Sequence, residues 1–230
     1  MTAWDSLDDL VADLVDCRRC PRLVAWREEV AREKRRAYED WDYWGRPVPP
    51  FGDPEGRVMI VGLAPAAHGA NRTGRMFTGD RSGDWLFASL HRTGFANQPT
   101  SEHAGDGLEL TDAFVTAPVK CAPPANKPTT AERDNCADYL AAETAFVSPA
   151  VVVALGGFGW DAALRHWGYE GRKPRFGHGA EAQLASGAIL LGSYHVSQQN
   201  TFTGRLTEEM LDAVFLRARE IAAAGPGVSG

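Results

Sequence analysis

Hydrophobic residues form four short continuous runs, and segments of helical periodicity separate them. The runs cover residues 58–63, 113–119, Val151–Leu155 and 188–194. Unbroken apolar runs, as opposed to alternating ones, are expected of strands that are covered on both faces of a sheet. Strands that alternate with helices favour a parallel sheet with helices on both sides. The pattern therefore predicts an α/β protein, a three-layer α/β/α fold around a central four-stranded parallel sheet.

The segments between these runs place apolar residues at helical spacing. Ser6 is a suitable N-cap, and Thr129 with Glu132 forms a capping-box sequence. The predicted helices begin after Ser6 and after Thr129, the latter carrying Cys136, and also cover 24–40, 82–93, 158–167 and 207–222. We find neither a repeat nor a linker, so one domain over residues 1–222 is predicted. Residues 223–230 have little to bury and are predicted to be a disordered tail.

Composition is ordinary for a globular protein, with 23% charged and 44% hydrophobic residues among 230. No stretch approaches the roughly 18–20 apolar residues of a membrane span. The first residues are acidic where a secretory signal would be basic, so a cytoplasmic location is expected. The net charge of −6 argues weakly against a nucleic-acid partner, but a local basic groove would suffice. Residues 27–36 hold five bases and three acids, which we interpret as a solvated helix face.

Two polar, glycine-containing loops follow the first and fourth apolar runs. They cover residues 62–80 and 195–205. In open α/β sheets, ligands bind beyond the carboxyl ends of the strands, where such loops lie. The first loop has no Gly-Lys-Ser/Thr ending and does not fit the dinucleotide-binding glycine pattern. These loops predict a binding or catalytic site that is neither a Walker phosphate-binding loop nor a dinucleotide-binding site.

Three residues are candidates for chemistry on spacing alone. His195 directly follows a buried run and could donate a hydrogen bond to charge that develops on a leaving group. Phe77 offers a stacking face, with a core aromatic as the alternative. Asn126 could read the edge of a base or an amide, or could simply form the turn ahead of Pro128.

The four cysteines fall at three places in the chain. Cys17 and Cys20 form a C-x-x-C pair followed by proline, Cys121 follows a strand-like run, and Cys136 lies on a helix-like segment. In a reducing compartment, free thiols are more often ligands than disulfides. Zinc ribbons usually have two such pairs, whereas a Cys-Pro step is typical of iron–sulfur ligation. The spacing favours one four-thiolate iron–sulfur site over zinc.

Three sequence motifs resemble those of the uracil-DNA glycosylase superfamily. They are G-L-A-P-A at 62–66, T-G-R-M-F-T-G-D at 73–80 and H-V-S-Q-Q-N at 195–200. More narrowly, they resemble the fifth family, the type-b enzymes of bacteria and archaea, over residues 14–217. The resemblance implies a monomer that flips a deaminated base out of double-stranded or single-stranded DNA and hydrolyses its N-glycosidic bond.

The resemblance also implies roles for individual residues. His195 would stabilise the departing base at its O2 edge, and Phe77 would stack on the base. Gly62, Leu63 and Ala64 would contact the base as well. The segment that includes Gln198, Gln199 and Arg205 would enter the minor groove and hold phosphates. A structural [4Fe–4S] cluster would be held by four residues, Cys17, Cys20, Cys121 and Cys136.

Two departures from better-known relatives change the expected site. The better-known relatives carry a residue that positions water where this chain has Ala64, Pro65 and Ala66. We therefore assign that role to Asp80. Alternatively, Asp80 only caps the next helix. Ala117 stands where close iron–sulfur relatives carry Asn, and Asn126 and Asn200 are the expected substitutes. Fewer contacts to the base edge predict a broader substrate range that includes hypoxanthine.

Three other functions remain open at this point. One is a non-catalytic or covalent uracil-DNA binder of the same superfamily, although the inserted basic loop of that subgroup is missing before His195. The second is an iron–sulfur electron-transfer or sensing module. The third is a zinc-stabilised nucleotide-binding protein, which absorbance near 400 nm would separate from an iron–sulfur protein.

Overall fold

A six-stranded sheet forms the centre of the protein. The computed structural model describes residues 4–224. The strands are β1 (Phe51–Gly52), β2 (Val58–Val61), β3 (Ala113–Thr116), β4 (Val151–Leu155), β5 (Glu181–Gln183) and β6 (Ile189–Ser193), in the order β1-β3-β2-β4-β6-β5. The four inner strands are parallel to one another, and they are the four that the apolar runs predict.

The sheet extends beyond the four predicted strands at both edges. β1 pairs antiparallel with β3, and β5 pairs antiparallel with β6. β1 has only two residues, and β5 is polar and partly exposed. Neither strand has an apolar run, because an edge strand needs burial on fewer sides than a central one. The predicted runs also extend beyond the inner strands, and residues 62–63 and 117–119 lie in the loops that follow.

Helices cover both faces of the sheet. They are α1 (Leu7–Val15), α2 (Pro21–Glu33), α3 (Ala70–Thr73), α4 (Arg81–Arg92), α5 (Thr130–Asn135), α6 (Ala137–Val147), α7 (Gly157–Trp167), α8 (Gln198–Phe202) and α9 (Glu208–Ala224). α4 and α9 contribute to the hydrophobic core on one face, and α7 contributes to the core on the other. This confirms the three-layer α/β/α fold. Within the described range, no helix is long and apolar enough to span a membrane.

Several helix boundaries differ from the sequence prediction. α2 begins at Pro21 and ends at Glu33, because Lys34 adopts a left-handed backbone conformation (φ 54°). A short 3₁₀ helix, Arg36–Tyr38, follows it. The capping box of Thr129 and Glu132 is present, but Cys136 lies between two helices. α9 includes residues 223 and 224 of the predicted tail, and residues 225–230 lie outside the described range.

Candidate active site and cysteine cluster

A cavity of roughly 690 Å³ lies where the loops after β2 and β6 meet. Its volume is within the range of small-molecule sites, about 300–1,000 Å³. The cavity lies beyond the carboxyl ends of parallel strands, as expected for this class of sheet. It brings together eight predicted site residues, namely Leu63, Ala64, Phe77, Asp80, Asn126, His195, Gln198 and Gln199.

The two carboxylate oxygens of Asp80 have different surroundings. Oδ1 accepts hydrogen bonds from the backbone N–H groups of Ser82 at 2.9 Å and Gly83 at 3.1 Å, so it caps α4. Among the described residues, none donates a hydrogen bond to Oδ2. A Cβ atom at Gly69 would overlap Oδ2, so only glycine permits this approach. Burial raises the pKa of Asp80, and the two backbone hydrogen bonds oppose that shift. Asp80 is therefore a helix cap that keeps one oxygen unbonded beside the cavity.

His195 lies two residues after the end of β6 and lines the same cavity. Burial lowers the pKa of His195 to about 4, so the imidazole is neutral near pH 7 and can donate one hydrogen bond. Its ring centroid lies 6.3 Å from that of Phe77, with 36° between the ring planes. The loop is packed tightly here, since a Cβ atom at Gly156 would lie 3.2 Å from the Cβ atom of His195.

Phe77 adopts a left-handed backbone conformation (φ 51°), which is strained for a bulky residue. A buried network on either side of it holds this conformation. Arg75 donates to Thr78 Oγ1 at 2.9 Å and to Asp106 Oδ2 at 2.7 Å, and Thr78 Oγ1 lies 2.7 Å from Ser101 Oγ. The Arg75 guanidinium contributes to holding the pKa of Asp106 well below its usual range.

Asn126 lines the cavity from a strained turn. It and Ala125 both have positive φ, at 54° and 52°. The Arg22 guanidinium donates to the carbonyl of Lys127 at 3.1 Å and pairs with Glu132. Because Arg22 lies two residues after Cys20, these contacts join the Asn126 loop to the N-terminal cysteine segment.

Three predicted site residues do not line the cavity. Gly62 is buried behind Phe77, and a Cβ atom there would lie 2.7 Å from Phe77 Cζ. Asn200 donates from Nδ2 to the backbone carbonyl of His195 at 2.9 Å. Arg205 is exposed and stacks on Tyr194, with its guanidinium carbon 4.6 Å from the ring centroid. Gly62 and Asn200 thus shape the site through its neighbouring residues.

The cavity is also lined by residues that the sequence patterns did not single out, among them Arg35, Tyr38 and His68. Arg35 belongs to the basic segment that was interpreted as part of a solvated helix. The early end of α2 at Glu33 turns the chain, and Arg35 and Tyr38 reach the cavity as a result. His68 lies inside the polar loop at residues 62–80, and its position in that glycine-rich loop was the signal that could have marked it as a site residue.

The four cysteines line one small recess. All four are free thiols. The buried Arg27 side chain donates from Nη1 to Cys121 Sγ at 3.0 Å, and Asn135 Nδ2 lies 3.5 Å from Cys20 Sγ. Burial raises the pKa of Cys121 to about 12 and that of Cys136 to about 11. Over residues 4–224, no three His, Cys, Asp or Glu side chains are arranged to hold a single metal ion.

The model of the uracil-DNA glycosylase superfamily matches residues 49–219. The match includes β1 to β6 and both loops that form the cavity. The chain therefore belongs to the uracil-DNA glycosylase superfamily.

Similar proteins narrow this assignment. A type-5 uracil-DNA glycosylase of Mycobacterium bovis is 59% identical over 220 residues, which cover 94% of this chain and 82% of that one. A type-5 uracil-DNA glycosylase of Thermus thermophilus is 51% identical over 92% of this chain and 96% of its own. One from Pyrobaculum aerophilum is also 51% identical, over 92% and 91%. Within the superfamily, the chain belongs to the type-5 family.

Proposed function

We propose that this protein is a monofunctional DNA glycosylase that hydrolyses the N-glycosidic bond of uracil in DNA. The observation that carries the proposal is that Asp80 and His195, from two separate loops, line one cavity beside Phe77. The names of its relatives point to the same activity. The product would be an abasic site, which base excision repair continues to process.

In the proposed mechanism, two residues share the work of the reaction. Water forms a bond to C1′ of the deoxyribose, and the C1′–N bond breaks with its electron pair leaving on the base. The unbonded Oδ2 of Asp80 positions the water and accepts its proton. A neutral imidazole N–H of His195 donates a hydrogen bond to the negative charge on the base, which solvent then protonates. A low pKa at His195 suits this role, because a neutral donor does not transfer its proton early.

The cavity would read the extruded base mainly by shape. Phe77 provides a stacking surface, and Asn126 provides both a donor and an acceptor for the base edge. Leu63, Ala64 and Ala117 line the cavity without polar side-chain groups. Because few side chains fix the base edge, we propose that hypoxanthine and other deaminated bases are also substrates.

Extrusion of the base would place the DNA across the rim of the cavity. Gln198 and Gln199 lie at this rim on α8, and Arg205 follows them on the exposed surface. These residues would hold the minor groove and the phosphates of the bent duplex. We propose that the protein acts as a monomer on double-stranded DNA that contains a deaminated base.

We further propose that Cys17, Cys20, Cys121 and Cys136 hold a [4Fe–4S] cluster. The support is that four free thiols line one recess, where the buried Arg27 guanidinium faces a sulfur atom. A buried cation beside sulfur suits an anionic group with four thiolate ligands. The cluster would brace the fold and needs no redox step. Absorbance near 400 nm together with iron and sulfide analysis of fresh protein tests this, and zinc without sulfide would contradict it.

Excision of labelled duplexes tests the proposed activity directly. Duplexes with U·G, U·A or hypoxanthine·T are incubated with the protein and then treated with alkali, which breaks the strand at abasic sites. We expect cleavage at the damaged position, and loss of it in His195→Ala. If freshly purified protein with its cluster spectrum intact excises none of these bases, the proposed glycosylase activity is wrong. Excision of uracil but not hypoxanthine would contradict only the broader specificity.

A further inference from the structure

Arg35 at the cavity wall has no assigned partner. It lies just beyond the left-handed turn at Lys34 that ends α2, and it is exposed at the cavity rim. None of the described side chains forms a hydrogen bond or salt bridge with its guanidinium. Its charge nevertheless lowers the pKa of His68, so the two groups are within electrostatic reach of each other. The rim therefore presents a permanently charged donor that the proposed reaction does not use.

Tyr43 connects Arg35 to His68 and orients the imidazole. The backbone N–H of Arg35 donates to Tyr43 Oη at 3.4 Å, and Tyr43 Oη lies 3.1 Å from His68 Nδ1. We assign its single hydrogen to Nδ1, because the hydroxyl oxygen already accepts from Arg35 and no other acceptor for that hydrogen lies among the described residues. Burial, followed by the charges of Arg35 and Arg72, lowers the pKa of His68 and favours the neutral ring. Nδ1 is then the acceptor and the ring proton resides on Nε2.

Arg35 and His68 each present a donor on this part of the wall. The Nε2–H of His68 has no hydrogen-bond partner within the described chain, and neither has the guanidinium of Arg35. An anion with several oxygen atoms satisfies both groups, and a phosphodiester has this chemistry. Arg35 and His68 line the same cavity as Asp80 and His195, so a phosphate bound by them would lie at the rim of the cavity that would receive the base.

We propose that Arg35 and His68 bind a backbone phosphate of the DNA next to the extruded nucleotide. This inference rests on the proposed function, since it needs a nucleic-acid substrate. The contact opposes return of the nucleotide to the stack by holding the strand at the rim. Tyr43 is a positioning residue, because it acts through the imidazole of His68.

Arg36 provides a matched control for Arg35. It is also exposed and lies next to Arg35, but it does not line the cavity. Arg35→Ala and Arg36→Ala therefore remove the same charge from neighbouring positions. Binding is measured on a duplex that carries 2′-fluoro-2′-deoxyuridine, which resists cleavage. We expect Arg35→Ala to weaken binding about tenfold and to reduce the slope of log K against log salt by about 0.9, with much smaller effects for Arg36→Ala.

Uncharged methylphosphonates placed singly at each phosphate near the uracil identify the partner. At one position, we expect the methylphosphonate to weaken DNA binding by the unmodified protein but hardly to weaken binding by Arg35→Ala. Such non-additive losses would show that Arg35 interacts with that phosphate. His68→Gln retains a donor near the Nε2 position and should bind better than His68→Ala. The inference would be overturned if the losses in binding from the methylphosphonate and from Arg35→Ala were additive at every position. It would also be overturned if Arg35→Ala and Arg36→Ala weakened binding equally. In both cases, uracil excision by the unmodified protein would leave the proposed function intact. Absence of excision in the unmodified protein would instead contradict the proposed function.

Discussion

The rings of Phe77 and His195 face the same cavity with their centroids 6.3 Å apart, although the two residues come from different loops. Behind Phe77, Gly62 leaves no room for a side chain. Phe77 also has a strained left-handed backbone that a buried network maintains. The position of the Phe77 ring thus depends on residues that do not line the cavity.

Gly62→Ala should impair excision by displacing Phe77. The added Cβ atom would lie 2.7 Å from Phe77 Cζ, so the ring must shift into the cavity. A displacement on the order of 1 Å can cost about 100-fold in rate, and we expect single-turnover excision to fall by that order. Gly177→Ala is the control, because its Cβ atom would lie 3.7 Å from the nearest atom, an ordinary contact. Equal rates for the two variants would show that Phe77 need not occupy its present position.

Asp80→Asn separates the capping role of the Asp80 carboxylate from its proposed role in positioning water. Asparagine retains an oxygen that can cap α4, so the free energy of unfolding should change little. Removal of the carboxylate charge should lower single-turnover excision by roughly 10²–10⁴-fold. Asp80→Ala should lose the same activity and, in addition, about 1 kcal/mol of stability. Full activity in Asp80→Asn would leave this residue with the capping role alone.

Acid should destabilise the protein partly through His195. Its pKa falls from an ordinary value near 6.5 to about 4 in the folded state, so the native structure favours the neutral ring. This contribution to stability is complete above pH 6.5 and is lost as the pH falls toward 4. Between pH 7.5 and 5.0, the free energy of unfolding should therefore decrease more in the unmodified protein than in His195→Gln. Identical decreases in denaturant titrations would argue against a buried neutral imidazole.

The Arg75–Asp106 pair should be important for both stability and activity. Its side chains are 5% and 9% exposed, and removal of one partner from such a buried pair costs about 3–5 kcal/mol. Asp106→Asn should therefore lower the free energy of unfolding and also slow excision, because Phe77 loses its support. Asp112→Asn breaks the more exposed pair with Arg57 and should leave excision unchanged.

The pH dependence of stability provides a second measurement on Asp106. Its pKa is lower in the folded state than the ordinary value near 4, so its stabilisation is complete above that pH and is lost as the pH falls below it. The difference in unfolding free energy between the unmodified protein and Asp106→Asn should be smaller at pH 3 than at pH 7. A constant difference would indicate that charge is not the cause.

Much of the fold was predictable because its signals are local. The four parallel strands are buried on both faces, and continuous apolar runs follow directly from that burial. The capping box at Thr129 is likewise complete within four residues. Their position after apolar runs and their polar, glycine-containing composition indicated the two loops that form the cavity. The edge strands β1 and β5 were missed because short, partly exposed strands depend on pairing with a distant neighbour.

The sequence by itself determined the layer architecture, the family and most of the predicted site residues that line the cavity. Only the tertiary structure decided that one oxygen of Asp80 caps a helix while the other remains unbonded. It also decided that Asn200 supports the His195 backbone instead of lining the cavity, and that Arg35 reaches the cavity rim. The physical reason is the distance along the chain over which each signal acts. Apolar periodicity and helix caps depend on residues that are only a few positions apart. Side-chain partners are chosen by packing between segments that are distant in the chain.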